Sequence, residues 1–409
     1  MAAHCLVVDN GGGSIKAGYT TQNAPRIIPN CITKAKSERR RQFVGDQLDD
    51  CKDMSSLFYL LPFQKGYLVN WDIEKQVWDY MFGKDVFNVK YEDTCIILTE
   101  PFFNFPSIRE TLVEVLYEEY QFHSLLLTNA GALSCLKYRR EHARELACLV
   151  VDTGFSFTHL APYLKGRLCK AGVARINLGG KALTNHLKDL VSYRQLHVMD
   201  ETYVMNQVKE DACFVSTKFW EDMDIARSHG RENTVARDYV LPDYTVIKRG
   251  YVRPLEETTG RPKDNEQASY FQICNLNLLM IRLNNERFMV PELLFHPSDI
   301  GIDEMGIPEA LQHVVSGLPK DVGPHMLKNV LLTGGNACFP GFGERVYKEL
   351  RSLCPEVYEV NVTAPDNPIT YAWEGGVMAF QDADMTKQVV TKKQYEEHGT
   401  AFCLDKFDT

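Results

Sequence analysis

The sequence contains no apolar run that approaches the roughly 20 residues needed to cross a bilayer, so we expect no contact with membranes. None of its twelve cysteines is spaced as C-x-x-C, which argues against a zinc site or a redox pair. Several cysteines lie in apolar, strand-like runs, as Cys95, Cys148 and Cys213 do, and buried thiols of this kind suit a reducing compartment. Residues 1–4 lead straight into a strand without the layout of a signal peptide, so we expect a protein of the cytosol or nucleus.

An excess of basic residues is also missing. The formal net charge of −9 argues against non-specific binding of DNA by the whole surface, and it fits either plain solubility or docking on basic proteins. One basic stretch, at residues 34–41, is interpreted as a solvated loop, with a nuclear-import signal or a nucleic-acid contact as the alternative. With 409 residues, of which 44% are hydrophobic, the chain is long enough for two domains, each with its own core.

The first chemical motif is an apolar strand that ends in an aspartate and three glycines, V-V-D-N-G-G-G-S-I-K-A-G-Y at residues 7–19. Glycine has no Cβ and tolerates positive φ, so Gly11, Gly12 and Gly13 would let backbone N–H groups crowd around an anion. Asp9 is placed to hold a water of Mg²⁺, and Lys16 is placed to reach a phosphate as a point charge. The alternative is an ordinary glycine-rich hairpin turn that Asp9 merely stabilises.

The motif returns in the second half of the chain. Residues 150–154 read V-V-D-T-G, with Asp152 in the place of Asp9, and residues 330–335 add a third strand that ends in two glycines. An internal repeat fixes architecture before other signals do. Two aspartate-bearing hairpins, one from each half, therefore predict a pair of loops that clasp one phosphate tail from opposite sides.

Strands alternate with amphipathic helices between these motifs, which predicts a mixed α/β sheet in each half. The pattern predicts a helix that opens within residues 69–73, with Asn70 or Asp72 as its cap, and continues to about Phe82. It also predicts a helix over residues 203–215. Ser107 and Glu110 match a capping box. The polar stretch 248–277 is interpreted as an exposed inserted loop and a candidate partner contact, and the last helix is predicted to begin at Trp373.

Taken together, these residues resemble the actin superfamily over essentially the whole chain. The collinear landmarks are the first phosphate hairpin at 9–19, N-W-D at 70–72, L-T-E at 98–100, the second hairpin at 152–159, K-E at 209–210, G-G at 334–335 with P-G at 340–341, and W-E-G-G at 373–376. The resemblance implies a duplicated ribonuclease-H-like α/β fold, with two lobes or four subdomains around a nucleotide cleft. It implies a first lobe of residues 1–137 and 372–409, with subdomain 2 at about 31–62, and a second lobe of residues 138–371.

The resemblance also implies that ATP or ADP with Mg²⁺ occupies the cleft, as a structural nucleotide, with an empty cleft as the alternative. The implied phosphate-binding residues are Gly11, Gly12, Gly13, Lys16, Asp152, Thr153 and Gly154. The implied adenosine-binding residues are Lys209, Glu210, Gly334 and Gly335, although Lys209 and Glu210 could belong to a solvated helix face. Asp9 and Asp152 would hold Mg²⁺ through its waters.

Three stretches resemble the sixth class of nuclear actin-related proteins: L-P-F-Q-K-G-Y at 61–67, Y-R-Q-L-H-V-M-D-E-T at 193–202 and N-P-I-T-Y-A-W-E-G-G at 367–376. That class implies a subunit of an ATP-dependent chromatin-remodelling complex that exchanges a variant histone into nucleosomes, found in the nucleus and also in the cytoplasm. The implied partners are the ATPase subunit of the complex, a HIT-type zinc-finger subunit, and histones or nucleosomes. Direct contact with DNA stays open.

Several positions depart from the actin pattern, and they predict that the protein is not an efficient enzyme. His159 fits the histidine that orients the attacking water, but the glutamine position falls on Asn129 or Ala130. Neither replaces glutamine, and phosphoryl transfer depends on positioning and electrostatics. The alternatives are a core role for His159, a helix cap at Asn129, and a weak ATPase of the wider superfamily of actins, sugar kinases and heat-shock ATPases.

Other departures concern the metal, the base and filament contacts. Phe155 stands where actins have a second aspartate, and Ile369 stands where they have a lysine over the adenine. Asp299 puts a charge into the apolar plug at 298–302, and a carboxylate in a dry interface is costly, so we expect no filaments; a filament-forming actin is the alternative. The phenylalanines at 102, 103 and 105 are interpreted as surface packing, with a partner-binding patch as the alternative.

Overall fold

The structure is a computed structural model that describes residues 4–38, 41–255, 270–273 and 276–408. The strands are β1 (His4–Asn10), β2 (Ser14–Tyr19), β3 (Arg26–Pro29), β4 (Ile32–Lys34), β5 (Gln42–Val44), β6 (Phe58–Leu60), β7 (Phe63–Gln64), β8 (Tyr67–Leu68), β9 (Thr94–Glu100), β10 (Ser124–Asn129), β11 (Ala147–Thr153), β12 (Thr158–Leu164), β13 (Arg167–Leu168), β14 (Ala174–Ile176), β15 (Arg237–Val240), β16 (Tyr251–Val252), β17 (Tyr270–Ile273), β18 (Leu276–Leu283), β19 (Val330–Thr333), β20 (Val362–Thr363) and β21 (Val390–Thr391).

The helices are α1 (Trp71–Phe82), α2 (Pro106–Glu114), α3 (Ala130–Glu141), α4 (Gly180–Arg194), α5 (Thr202–Ala212), α6 (Phe219–Arg227), α7 (Glu286–Glu292), α8 (Ile307–Gly317), α9 (Gly323–Leu327), α10 (Phe342–Leu353), α11 (Tyr371–Ala379), α12 (Ala383–Gln388) and α13 (Lys392–Phe407). A turn of π-helix, Val115–Glu119, continues α2. Within the described residues, no helix is both long enough and apolar enough to pass through a bilayer.

The first large sheet has the strand order β21-β10-β9-β1-β2-β3. β1 is parallel to β9 and β9 is parallel to β10, whereas β1, β2 and β3 are antiparallel neighbours. All seven residues of β9 are buried, as expected for a nearly continuous apolar strand that is covered on both faces. The strand-like run that the sequence indicated around Cys95 is therefore confirmed.

The second large sheet repeats this plan, with the order β13-β12-β11-β19-β20 and β14 beside β12. β11 is antiparallel to β12 and parallel to β19, as β1 is antiparallel to β2 and parallel to β9. In register, Asp9 pairs with Lys16, and Asp152 pairs with His159. The predicted repeat is present, and it places the two aspartates at equivalent strand ends.

The chain returns to the first sheet at its end. β21 pairs with β10, and Trp373, Cys403 and Phe407 are buried in the hydrophobic core that covers this sheet. The prediction that the last helix begins at Trp373 is wrong, because α11 begins at Tyr371 and is followed by α12 and α13 in a segment rich in charged residues. Burial of a few apolar residues of α13 holds this charged segment in place. The local sequence has no motif that predicts such a contact.

Smaller sheets complete the two halves. β4 pairs with β5 and β6, and a four-stranded sheet has the order β16-β15-β18-β17. The interpretation of residues 248–277 as a loop is therefore wrong in part, because it contains β16 and β17 and the start of β18. Residues 256–269, 274 and 275 of this stretch lie outside the described part of the chain. The proposed lobe boundaries stay a prediction.

Two helix predictions need correction and one is confirmed. Asn70 caps α1 by accepting a hydrogen bond from the N–H of Ile73 at 3.3 Å. Ser107 and Glu110 form no capping box, because α2 begins with Pro106 and has Phe105 at its N-cap position. Proline suits the first helical position since it has no N–H that needs a partner there. The helix predicted over 203–215 ends at Ala212.

Candidate functional site

A cavity of about 520 Å³ lies where the equivalent strands of the two sheets end. Its lining includes the predicted residues Asp9, Gly11, Gly12, Gly13, Lys16, Asp152, Gly154, His159, Lys209, Glu210, Gly334 and Gly335. The structure therefore brings together hairpins that are more than 130 residues apart in the chain. Thr153 and Asn129 were predicted as well but do not line the cavity.

Hydrogen bonds of Thr99, a residue of β9, support the first hairpin. The carboxylate of Asp9 accepts a hydrogen bond from Thr99 Oγ1 at 2.9 Å, and Thr99 Oγ1 accepts one from the N–H of Asn10 at 2.9 Å. Lys16 Nζ lies 3.4 Å from Asp9 Oδ2. The hairpin thus arrives at the cavity with its carboxylate and its ammonium group already oriented.

The glycines of this hairpin are needed because neighbouring atoms lie too close to leave room for a Cβ, and their backbone conformation is not the reason. None of Gly11, Gly12 and Gly13 has a positive φ, so of the two reasons that the sequence suggested only the missing Cβ applies. A Cβ on Gly11 would lie 2.7 Å from the carbonyl oxygen of Ser14, and one on Gly13 would lie 2.7 Å from Cγ of Phe155. The aromatic ring of Phe155 therefore packs directly on the first hairpin.

The second hairpin brings the carboxylate of Asp152 into the same cavity as that of Asp9. Removal from water raises the pKa of Asp152 to about 6, the nearby charge of Asp9 adds to the rise, and Lys16 opposes it. Gly334 allows this arrangement, because it has a φ of +89° and its Cβ would lie 2.9 Å from Asp152 Oδ1. A cation between the two carboxylates would relieve their repulsion.

Thr153 and Gly154 use their polar groups inside the protein. The hydroxyl of Thr153 accepts hydrogen bonds from Thr158 Oγ1 and Asn336 Nδ2, both at 3.1 Å. The N–H of Gly154 donates to the carbonyl oxygen of Phe157 at 3.0 Å. These contacts shape the second hairpin and fasten it to the turn at Gly334.

Lys209 and Glu210, the charged residues predicted to contact adenosine, differ in how far their hydrogen-bonding groups are already used. Lys209 is buried, and its ammonium group donates to Gly180 O, Thr184 Oγ1 and Asn206 Oδ1 at 2.9–3.2 Å. Its three protons are thus used within the chain. The carboxylate of Glu210 accepts a hydrogen bond from Asn206 Nδ2 at 2.8 Å through one of its oxygens, and the other oxygen has lone pairs for hydroxyl groups of a ligand.

His159 is held among aromatic rings. Its ring lies edge-on to Phe102 with the centroids 5.1 Å apart, and 4.2 Å from the ring of Phe157. Burial lowers the pKa of His159 to about 3, and the charge of Arg175 contributes, so the imidazole is neutral at pH 7. Its Nε2 is buried without a hydrogen-bond partner among the described residues.

The structure separates the two candidates for the glutamine position. Ala130, the first residue of α3, lines the cavity. Asn129 occupies the N-cap position without capping the helix, and its Nδ2 donates to the carbonyl oxygen of Glu100 at 3.0 Å. The predicted helix cap by Asn129 is therefore wrong, and the cavity wall at this point has only a methyl group.

Sequence reasoning missed Glu74, which supports the first hairpin from α1. Its carboxylate is fully buried and accepts a hydrogen bond from Asn10 Nδ2 at 2.7 Å. Burial raises the pKa of Glu74 from 4.5 to about 7. A signal was present, because Glu74 lies three and four residues before the buried Val77 and Trp78 and so shares their helix face.

Comparison with known sequences agrees with this geometry. The profile of the actin family matches residues 2–408. Actin-related protein 6 of Drosophila melanogaster is 45% identical over 404 residues, covering 98% of each chain. Actin-related protein 6 of Oryza sativa subsp. indica is 36% identical over 422 residues, covering 98% of each chain, and that of Arabidopsis thaliana is 34% identical over 424 residues, covering 99% of each.

The chain therefore belongs to the actin family and has the two-lobed actin fold. Its full-length similarity to proteins named actin-related protein 6 in an insect and in plants confirms the predicted resemblance to the sixth class.

The raised pKa of Glu74 predicts that the stability of the protein depends on pH. Since its pKa is near 7 in the native state and 4.5 is its ordinary value, the native state binds more protons between these pH values. The free energy of unfolding of the wild type should then fall as pH rises through this window, at up to about 1.4 kcal/mol per pH unit. Glu74→Gln keeps the acceptor for Asn10 and removes the titration.

Chemical denaturation between pH 4.5 and 7.5 measures this effect. The free energy of unfolding of Glu74→Gln minus that of the wild type should increase with pH and level off above 7. The exposed Glu92→Gln is the matched control, and its difference should stay flat. A flat difference for Glu74→Gln would contradict the assignment of a protonated, buried carboxyl group.

Proposed function

We propose that this protein is a non-filamentous nuclear actin-related protein that binds ATP or ADP with Mg²⁺ and serves as an assembly subunit of a chromatin-remodelling complex. The observation that carries the nucleotide part is the meeting of both aspartate-bearing hairpins and the glycine turn at 334–335 in one cavity. Nucleotide phosphates and adenosine would then touch both halves of the chain. Binding would stabilise their closed arrangement.

Mg²⁺ fits the donor set of this cavity. Asp9 and Asp152 present hard oxygen ligands. Burial and the nearby charge of Asp9 both raise the pKa of Asp152, and a cation near both carboxylates would oppose these effects. Within the described residues, histidine, cysteine and carboxylate side chains form no cluster of three or more that could hold a metal. A water-mediated ion at Asp9 and Asp152 would supply charge neutralisation for the phosphates.

The remaining groups would each contact a different part of the nucleotide. Lys16 would approach the phosphates as a point charge, together with backbone groups of the two hairpins. Glu210 would accept hydrogen bonds from ribose hydroxyls, and Gly335 has open space above it where the base could lie. Ile369 lines the same wall and would offer the base an apolar contact in place of a charge.

Removal of both carboxylates tests the nucleotide site. In the wild type, Mg²⁺ with ATP should raise the midpoint of thermal unfolding, since a ligand at a thousandfold excess over Kd stabilises by about 4 kcal/mol. Asp9→Ala combined with Asp152→Ala should lose this response. The exposed Asp299→Ala is the control and should respond like the wild type. An unchanged response in the double variant would refute the assignment.

We expect slow hydrolysis of ATP because of the residues around His159 and Ala130 in the cavity wall. His159 is neutral and faces rings rather than a charged partner, and Ala130 offers no polar group to orient a water. Phe155 and Phe157 add apolar surface at the same end of the cavity. Without a second group to position the attacking water, in-line attack loses much of its geometric advantage.

A gain-of-function variant tests this explanation. Ala130→Gln should place an amide in the cavity and raise ATP turnover about tenfold over the wild type, because positioning contributes by orders of magnitude. Asn129→Gln, one residue away and outside the lining, should not. His159→Ala added to Ala130→Gln should cancel the gain. An Ala130→Gln protein that binds ATP with wild-type turnover would contradict the role given to this wall.

The assembly role rests on the class resemblance and on the surface. Asp299 and Ile300 are exposed in a short 3-10 turn, so the segment that would form the apolar plug of a filament presents a charge to solvent. The proposed partners are the ATPase subunit of the remodelling complex, a HIT-type zinc-finger subunit, and the nucleosome. The nucleus is the proposed site of action, with a cytoplasmic pool.

Affinity purification and sedimentation test this role together. A tagged chain should recover a remodelling ATPase and a HIT-type zinc-finger protein from nuclear extract, whereas tagged conventional actin serves as the control for unspecific recovery. The purified protein should stay in the supernatant under salt conditions that polymerise actin. Pelleting under those conditions, or recovery of neither partner, would contradict the proposal.

A further inference from the structure

A buried network of polar side chains lies next to the first hairpin. Its members are Asn10, the last residue of β1, Asn30 between β3 and β4, and Glu74 and Trp78 of α1. All four are buried, and of these Asn10 lines the cavity whereas Asn30, Glu74 and Trp78 do not. The network therefore joins three elements of the first half of the chain behind the hairpin, without facing a ligand directly.

Two asparagines connect Glu74 to the backbone of the hairpin. Asn10 Nδ2 donates to Glu74 Oε1 at 2.7 Å. Asn30 Nδ2 donates to the carbonyl oxygen of Gly11 at 3.2 Å, and the N–H of Asn30 donates to the carbonyl oxygen of Gly13 at 3.1 Å. The path of the chain from Gly11 to Gly13 thus depends on how the amide group of Asn30 is oriented.

The network lacks one proton. Among the described residues, Asn10 Oδ1, Asn30 Oδ1 and Glu74 Oε2 are buried acceptors without a hydrogen-bond partner, and Trp78 Nε1 is a buried donor without one. Asn10, Asn30 and Trp78 all lie within hydrogen-bonding reach of the carboxyl group of Glu74. A protonated carboxyl group can accept from the indole and donate to an asparagine oxygen, whereas a carboxylate can only accept.

The surroundings of Glu74 contain no counter-charge. Among the described residues, the side chains that act on its carboxyl group are Asn10 from β1, Asn30 from the segment before β4, and Trp78 from α1 itself, and none of them is charged. Burial therefore raises the pKa of Glu74 to about 7, although hydrogen bonding opposes the rise. The carboxyl group thus gains or loses its proton near neutral pH in the folded protein.

We propose that Glu74 is a proton-dependent positioning residue for the phosphate hairpin and that nucleotide binding takes up a proton there, an inference that rests on the proposed nucleotide site. When protonated, Glu74 donates to Asn30 Oδ1 and leaves Asn30 Nδ2 on the carbonyl oxygen of Gly11. When ionised, Glu74 attracts the amide N–H groups of Asn30, and rotation of that amide breaks its contact with Gly11. The hairpin then loses its phosphate-binding form.

The affinity for nucleotide should accordingly fall as pH rises through 7. Since the pKa of Glu74 is about 7 in the free protein, the protonated fraction falls from about 0.9 at pH 6 to about 0.1 at pH 8. If only the protonated form binds, the Kd for Mg²⁺–ADP rises about tenfold over this range, because the apparent affinity scales with the competent fraction.

Isothermal titration calorimetry with Mg²⁺ and ADP at pH 6, 7 and 8 tests the proposal. Glu74→Gln can accept from Asn10 and donate to Asn30 at every pH, so it should bind like the wild type at pH 6 and more tightly at pH 8. Titration of ADP itself is common to both proteins. Asp72→Asn, which removes an exposed carboxylate from the same helix, is the matched control and should follow the wild type.

A count of protons separates this role from a merely structural one. Titrations at pH 7 in buffers of different ionisation enthalpy should show that the wild type takes up as much as about half a proton more per ADP than Glu74→Gln. Asn30→Ala removes the link to Gly11, so it should bind weakly at both pH 6 and pH 8 and lose most of the pH dependence.

The outcomes distinguish this inference from the proposed function. If the wild type and Glu74→Gln show the same ratio of Kd between pH 8 and pH 6 and the same proton uptake, the inference is overturned while the nucleotide site stands. Full wild-type pH dependence in Asn30→Ala would overturn the path through Asn30. If the wild type binds no Mg²⁺–ADP at any of the three pH values, the proposed nucleotide site fails and the inference fails with it.

Discussion

Asp9 and Asp152 lie one residue before the ends of equivalent strands in the two sheets, and both residues line one cavity. Burial raises the pKa of Asp152, and repulsion by the like charge of Asp9 adds to the rise. Lys16 offsets part of it. Further positive charge would lower the repulsion that remains, and the proposed Mg²⁺–nucleotide complex would bring a divalent cation to that point.

Duplication of one strand–aspartate–turn unit makes this arrangement possible. In each unit the aspartate-bearing strand pairs with a parallel neighbour, and this pairing fixes the position of the aspartate. The turn at Gly334 lies against Asp152. Buried polar groups then connect the layers: Glu74 supports the first hairpin through Asn10, and Asn336 fastens the second hairpin through Thr153. The geometry depends on these supports as well as on the residues that face the cavity.

The fold and most of the site could be predicted because their signals are local and repeated. The V-V-D motifs and the glycine turns identify strand ends by themselves, and the structure places nearly all of the predicted residues around one cavity. Two contacts between distant parts of the chain could not be predicted: the N–H of Ser56 donates to the carboxylate of Glu201 at 3.1 Å, and Arg175 donates to the carbonyl oxygen of Lys65 at 3.0 Å. In the sequence these are ordinary polar residues without a local motif. The predicted capping box is absent because α2 begins earlier, at Pro106. β16, β17 and the start of β18 were missed because their short apolar runs lie within or at the end of a polar, charge-mixed stretch.

Cys338 offers the most direct measurement of the central claim, that this cavity is a nucleotide site. It lines the cavity next to the turn at Gly334, and among the described cysteines it is the exposed one. The rate of its alkylation, followed by peptide mass spectrometry, should fall severalfold when Mg²⁺ and ATP are added, while alkylation of the half-buried Cys354 stays constant. An alkylation rate of Cys338 that does not change at saturating Mg²⁺ and ATP would contradict the account.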